Sequence, residues 1–420
     1  MNNLAGRFHS LFGFRSMSTR SPAVPPLHPA AAAPHSGSGQ ASTVVLAVAA
    51  FVIVTTEFLM VGLLPALARD LGVSVSKAGQ LVTLFAVVVM LCGPVLTAWL
   101  AHIERKRLFL AVLVLFAASN ALAAVSPNLW TLAIARVIPA LALPVFWGTA
   151  SDTAAQLASP QRAGRAVATV YLGISGAMLF GIPLGTLAGD AIGWRAAFWM
   201  LAALSLLVAV LLFFAMPTLK TAGRVALAEQ ARILRSPAFL AQVALSVVVF
   251  TAMFTGYTYL AEVLEQVAHI PPAHVGWWLM GFGAVGLLGN WLGGRWVDRK
   301  PQAATAGFSA LLAAGMVASI LLAPWTLGLA AALAVWGVAN TALYPICQIR
   351  VMKSAPQAQA LAGTINVSAA NGGIALGAVL GGASIPLWGV GSVGFVGAAI
   401  ALLAVVAVAW MVRPGRRPQV

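Results

Sequence analysis

From Thr43 onward the chain is a succession of apolar stretches, most of them about 20 residues or longer, and that feature excludes most folds. A helix of about 20 apolar residues crosses a hydrocarbon core of about 30 Å. The pattern predicts twelve spans, near 43–68, 77–101, 107–125, 129–151, 164–189, 195–216, 238–262, 275–297, 303–323, 326–351, 359–383 and 391–412. Only 8% of the residues are charged and 61% are hydrophobic. A soluble domain carries about 25% charged residues, so this inventory cannot cover a water-facing surface. The alternation of a membrane barrel is absent from the sequence. The expected fold class is an all-α polytopic membrane protein with the lipid bilayer as its surroundings.

The longest polar connection, 217–237, reads "PTLKTAGRVALAEQARILRSP" and divides the spans six and six. The expected organisation is a disordered cytosolic tail at 1–40, one bundle at 41–216, a linker at 217–237, a second bundle at 238–412 and a cytosolic tail at 413–420. Basic residues collect on the cytosolic side of helical membrane proteins. With the N-terminus cytosolic, twenty of the 24 Lys and Arg fall on that side, Arg350 among them. Only Arg69, Lys77 and Arg195 fall outside, and Arg136 falls within the membrane. The net charge of +15 is therefore a topology signal for a plasma (inner) membrane protein, not a nucleic-acid footprint. Cys92 and Cys347 lie in two different spans and read as small core residues. His269, His274, Glu262 and Glu265 fit no metal spacing and read as an ordinary outer loop.

The halves resemble each other. "GPVLTAWLAHIERK" precedes span 3 and "GNWLGGRWVDRK" precedes span 9. "GIPLGTLAG" in span 5 parallels "GIALGAVLGG" in span 11, and "ALALPVFW" in span 4 parallels "TALYPICQ" in span 10. Repeats six crossings apart keep one orientation, which predicts two pseudo-symmetric six-helix bundles with a site at their interface near the midplane.

Four stretches carry a family resemblance: "TTEFLMVGLLPALARDLGVSVSKAGQLVTLFA", "LAIARVIPALALP", "GIPLGTLAGDAIGWRAAF" and "GGRWVDRK". The chain resembles the major facilitator superfamily, within it the twelve-span drug/proton antiporters, and most closely their sugar-efflux branch. The resemblance implies that spans 1, 4, 7 and 10 line a central cavity. It also implies that span 5 packs on span 8 and span 2 on span 11. Gly294, Asp298 and Arg299 match a cytosolic gating motif. The other copy of that motif departs from the family at Ala98, His102 and Ile103.

Glu57 is the single charge in span 1, about 21 Å from its cytosolic edge at 1.5 Å per residue. Arg136 in the antiparallel span 4 comes out at the same depth. Charges at mid-membrane are costly and face a cavity or a partner. A carboxyl holds its proton more tightly in apolar surroundings and less tightly beside a guanidinium. If Arg136 approaches Glu57 in one conformation and not in the other, proton affinity alternates with state. A fixed pair that only aligns the two helices is the competing reading. Thr56, Met60, Phe146, Trp147, Tyr257, Tyr259, Asn340, Asn366 and Asn371 are candidates for contact with a small-molecule substrate, or else ordinary interhelical contacts. Gly173, Gly181, Gly185 and Gly189 in span 5, and Gly373 and Gly377 in span 11, form small faces that admit a close neighbour, and Pro183 permits a kink.

No phosphate-binding loop, nucleophile–base set or cofactor motif is present in the sequence, so neither an enzyme nor a cofactor is expected. The expected function is export of a sugar-like metabolite or hydrophobic drug by a monomer through alternating access, with protons as the second partner and the proton gradient as energy source. An uptake symporter and a non-transporting membrane sensor stay open.

Overall fold

The computed structural model describes residues 36–100, 102–158, 162–219 and 231–412. The expectations for residues 1–35, 220–230 and 413–420 lie outside the described residues. Twelve described helices are long and apolar enough to cross a membrane. They are α1 (Ser36–Asp70), α2 (Val75–Leu100), α3 (Arg105–Ala124), α4 (Leu129–Leu157), α5 (Ala163–Gly176, a π turn Ala177–Gly181, and Ile182–Ile192) and α6 (Trp194–Ala215). The second six are α7 (Pro237–Tyr257 with Leu260–Gln266), α8 (Pro272–Arg299), α9 (Pro301–Leu321), α10 (Thr326–Lys353), α11 (Gln359–Trp388) and α12 (Ser392–Val412).

Polar side chains set several of the ends. The Asn128 side chain accepts from Thr131 N at 3.0 Å to open α4. Ser236 caps α7 ahead of Pro237, whose missing N–H costs nothing in the first turn. Glu104 accepts from the N–H groups of Lys106 and Arg107 at the start of α3 and from Leu219 N beyond the end of α6. Partial burial pushes the Glu104 carboxyl up, but these three N–H groups and the Arg107 charge outweigh it and hold the acid below the ordinary carboxylate range. The π turn in α5 precedes Pro183, whose ring would clash with the carbonyl four residues back in a regular helix. Gly193 after α5 and Gly389 after α11 both adopt positive φ, 88° and 80°, so the two halves turn at matching points.

Packing repeats with the same offset. α1 packs on α5 and α6, α3 on α4 and α6, and α2 on α4. Adding six to each number gives the second half: α7 on α11 and α12, α9 on α10 and α12, and α8 on α10. The halves meet along α2–α11 and α5–α8, and the last turns of α7 touch α1. Large apolar side chains such as Phe213 and Phe214 on α6 and Leu402 and Val406 on α12 point away from the bundle, as a lipid-facing surface requires.

Several boundaries lie beyond the sequence expectation: α4 runs to Leu157 and α11 to Trp388, five or six residues further than predicted. α1 begins at Ser36, because the small polar residues before Thr43 extend the helix. α7 resumes after a turn at Thr258–Tyr259 and runs to Gln266. Glu262, expected in a loop, therefore lies in that helical segment and is only 3% exposed.

Candidate functional site

Arg136 is 1% exposed and lies inside the first bundle. Its guanidinium donates to the backbone carbonyls of Thr56 at 2.6 Å and Glu57 at 2.9 Å. Helical carbonyls keep a second lone pair, so α1 accepts these bonds without losing its ladder. The Phe85 ring of α2 covers the guanidinium at 4.5 Å, and Asn120 Nδ2 of α3 donates to Thr56 Oγ1 at 3.1 Å. Arg136 therefore joins α4 to α1 through the backbone. Among the described residues the Glu57 carboxyl makes no ion pair or hydrogen bond, although it lies within electrostatic range of Arg136. Glu57 is half-buried while its neighbours on α1 are buried. The planar fork is what reaches both carbonyls, and lysine cannot reproduce it. Arg136→Lys is expected to lower stability by about 1–3 kcal/mol, read as a lower Tm of the purified protein.

A cleft between the halves is lined by Met178 and Ile182 of α5, Tyr257 of α7, Leu279 and Phe282 of α8, and Asn340 and Thr341 of α10. Tyr257 stacks on Phe282 at 5.6 Å and its hydroxyl reaches Met178 Sδ at 3.8 Å. The buried Asn340 Oδ1 and the Tyr344 hydroxyl, one turn further along α10, have no hydrogen-bond partner among the described residues. Tyr344 lies within electrostatic range of both Tyr257 and Glu57, which brings the carboxyl of one half toward the polar groups of the other.

The remaining substrate candidates are dispersed. Met60 is buried in the core, and Thr56 is held by Asn120. Phe146 and Trp147 form an aromatic cluster with Phe109 and Tyr171. Asn366 donates to Gln348 Oε1 at 2.6 Å and Asn371 to Val367 O at 3.0 Å, and each leaves its Oδ1 unbonded. Tyr259 is fully buried near the end of α11, where its hydroxyl donates to Ala378 O at 2.7 Å.

A description named "Major Facilitator Superfamily" matches residues 46–365 and 263–420. The chain belongs to the major facilitator superfamily. The chain is 37% identical over 340 residues to an Escherichia coli O157:H7 protein named "Inner membrane transport protein YdhP", covering 81% of this chain and 87% of that one. It is 33% identical to a "Probable sugar efflux transporter" of Helicobacter acinonychis (strain Sheeba), covering 86% and 92%. Among solved structures, a bacterial homologue of the human lysosomal transporter Spinster, inward-facing and unoccupied, superposes with a TM-score of 0.71 at 15% identity, covering 90% of this chain and 96% of that one. A peptide transporter in complex with alafosfalin gives 0.68 at 14% identity, covering 88% and 94%. These two show the shared fold. The chain is thus a transporter rather than an enzyme, with the superfamily's two six-helix bundles.

Within that superfamily fold the glycine faces take partners that spacing did not reveal. The α5 stripe faces α1 of its own half rather than α8. A Cβ at Gly181 would meet Thr55, one at Gly185 would meet Leu59, one at Gly189 would meet Leu63, and one at Gly173 would strike the backbone of Ala47 and Phe51. The α11 stripe faces α7 in the same way, with Gly373 and Gly377 against the backbone of Val247 to Thr255. The α5–α8 contact is instead made by Met178, Leu179, Pro183 and Leu187 against Gly276 and Gly283. At the gating motif, Asp298 pairs with Lys353 of α10 at 3.3 Å within its own half. Gly294 has open space beside it, and Arg299 is exposed at the end of α8.

Sequence reasoning missed a second buried guanidinium. Arg350, counted above with the cytosolic charges, is 2% exposed inside the second bundle. It donates to Gln242 O at 3.1 Å, Gln242 Oε1 at 2.5 Å and Ser246 Oγ at 2.9 Å, joining α10 to α7. Its place three residues before Lys353 resembles an ordinary helix end. The polar Gln242 and Ser246 at the start of an apolar span were the available signal. Asn120, a lone amide in span 3, carried a comparable one.

Proposed function

We propose that this transporter exports a small organic solute across the inner membrane by proton antiport and alternating access. The basic face and both termini are cytosolic, and the chain works as a monomer without a cofactor, energised by the proton gradient. The observation that carries this reading is the Glu57 carboxyl. It stands in the middle of its span, beside the interface of the halves, with no bonding partner among the described residues, while Arg136 is held within electrostatic range of it by backbone carbonyls. A carboxyl with that freedom can take up and release a proton as its surroundings change. Protons enter from outside and bind Glu57, the halves rock, and solute displaces the proton at the cytosolic side.

The relatives named sugar efflux transporters support a sugar-like metabolite as substrate, with a hydrophobic drug as the other class. The lining of the cleft suits either class chemically, since it pairs a stacked aromatic wall with an unbonded amide oxygen, and the cleft must widen to admit a solute of that size. Everted membrane vesicles with an imposed pH gradient test the proposal. Adding a transported solute is expected to collapse the gradient in part. No response across a panel of sugars and phenicol antibiotics, or proton movement in the solute's own direction, overturns it.

A further inference from the structure

The last two residues of α1 are tied to different halves. Asp70 Oδ2 accepts from Trp194 Nε1 at 3.0 Å and Arg195 Nη1 at 2.5 Å, and Arg195 also donates to Ser126 O at 3.1 Å, all within the first bundle. Arg69 Nη1 instead pairs with Glu265 Oε2 of the second bundle at 2.5 Å. Glu265 sits on the short helix that follows the break in α7, and that helix packs against α1. At the break itself, the Tyr259 ring is seated between α2 of the first bundle and α11 of the second. A Cβ at Gly79 would lie 2.4 Å from Tyr259 Oη and 2.8 Å from two ring carbons, and Cβ atoms at Gly381 and Gly382 would meet the same side chain. Gly79 is thus the point at which the first half makes room for a side chain of the second.

We propose that Tyr259 and Gly79 form a key and notch which, with the Arg69–Glu265 bridge, close the outer face. This inference rests on the alternating-access reading and names the parts that perform its outer step. The ring fits only where α2 lacks a side chain. The bridge adds a weaker, solvent-screened tie, since Arg69 is more than half exposed. When the outer ends part, the ring must leave the notch and the bridge must break.

The test is the separation of spin labels at Val125→Cys and Thr326→Cys, exposed positions beside the outer loops of the two halves, in a chain with Cys92 and Cys347 replaced. It is read in nanodiscs with no solute and no pH gradient. Gly79→Val is expected to shift the open-to-closed ratio toward the longer separation by about tenfold or more. Tyr259→Ala in the same chain is expected to restore closure. Arg69→Glu gives a smaller shift, up to about fivefold, which Glu265→Arg reverses. An unchanged separation in folded Gly79→Val, or no restoration by Tyr259→Ala, overturns the key and notch. If Gly79→Val does not purify as a monodisperse species, Gly79→Ala decides by the same criteria, because one methyl already collides. A wrong assignment here leaves proton-driven export intact in the vesicle assay, so the two proposals fail separately.

Discussion

Glu57→Gln is expected to abolish proton-driven uphill transport while leaving solute exchange at equal pH. Glutamine matches the shape of a protonated glutamate but cannot ionise, so it removes the proton cycle and little else. Folding should survive. Among the described residues the Glu57 side chain makes no bond, and the Arg136 bonds go to the carbonyls of Thr56 and Glu57, which the substitution keeps. Coupling energies between linked sites run about 1–3 kcal/mol, a factor of about 5–150 in the affinity for one ligand when the other is bound, and the substitution removes that linkage. The measurement is a pair of assays on one batch of reconstituted liposomes: accumulation against a gradient under an imposed pH difference, and counterflow without one. Loss of the first with retention of the second is the expected result. Retained uphill transport would remove Glu57 from the mechanism. Loss of both together with a normal Tm would make it a solute-binding residue instead.

Gly377→Val should fail at an earlier stage, in the packing of the second bundle. A Cβ there would lie 2.6 Å from Thr251 O and 2.8 Å from Thr255 N, so the obstacle is backbone on the facing helix. No rotamer change relieves such a contact, and α7 and α11 must separate along a seam that runs much of their length. The expected cost exceeds about 3 kcal/mol, at or beyond the usual range for overpacking. It is read as lost expression or a collapsed Tm. Gly281→Ala is the control, because open space surrounds that position on α8. Alanine there is expected to leave stability unchanged or raise it by up to about 1 kcal/mol. Equal behaviour of the two variants would show that the seam tolerates volume.

Much of the architecture was legible because lipid imposes a simple rule on sequence. The twelve apolar runs and the pairing of spans 5 with 8 and 2 with 11 reappear in the fold, the pairing having come from resemblance. Glycine spacing was a weaker guide. A four-residue repeat defines a face but not its neighbour, and the α5 and α11 stripes turned toward their own bundles. Charge near a span end was weaker still. Arg350 and Glu262 both look like residues reaching for water, yet both are buried, one among neutral oxygens and one within the resumed helix of α7. Arg136 and Glu57 were read correctly as neighbours in depth. That the bonds would run to the backbone of α1 rather than to the carboxylate depended on the rotation of two helices, which no spacing encodes.

The glycines meet neighbours of two stiffnesses. At Gly173, Gly373 and Gly377 inside the bundles, and at Gly283 across the middle, main chain is the obstacle, with nothing between to yield. At Gly185 and Gly189 inside the first bundle, and at Gly372 across the middle, the neighbours are the ends of Leu59, Leu63 and Met90, which can turn about their bonds. Random substitution should sort the residues accordingly. Changes against main chain would cost the cell its protein, and changes against side-chain ends would leave the protein in place with its balance of shapes displaced.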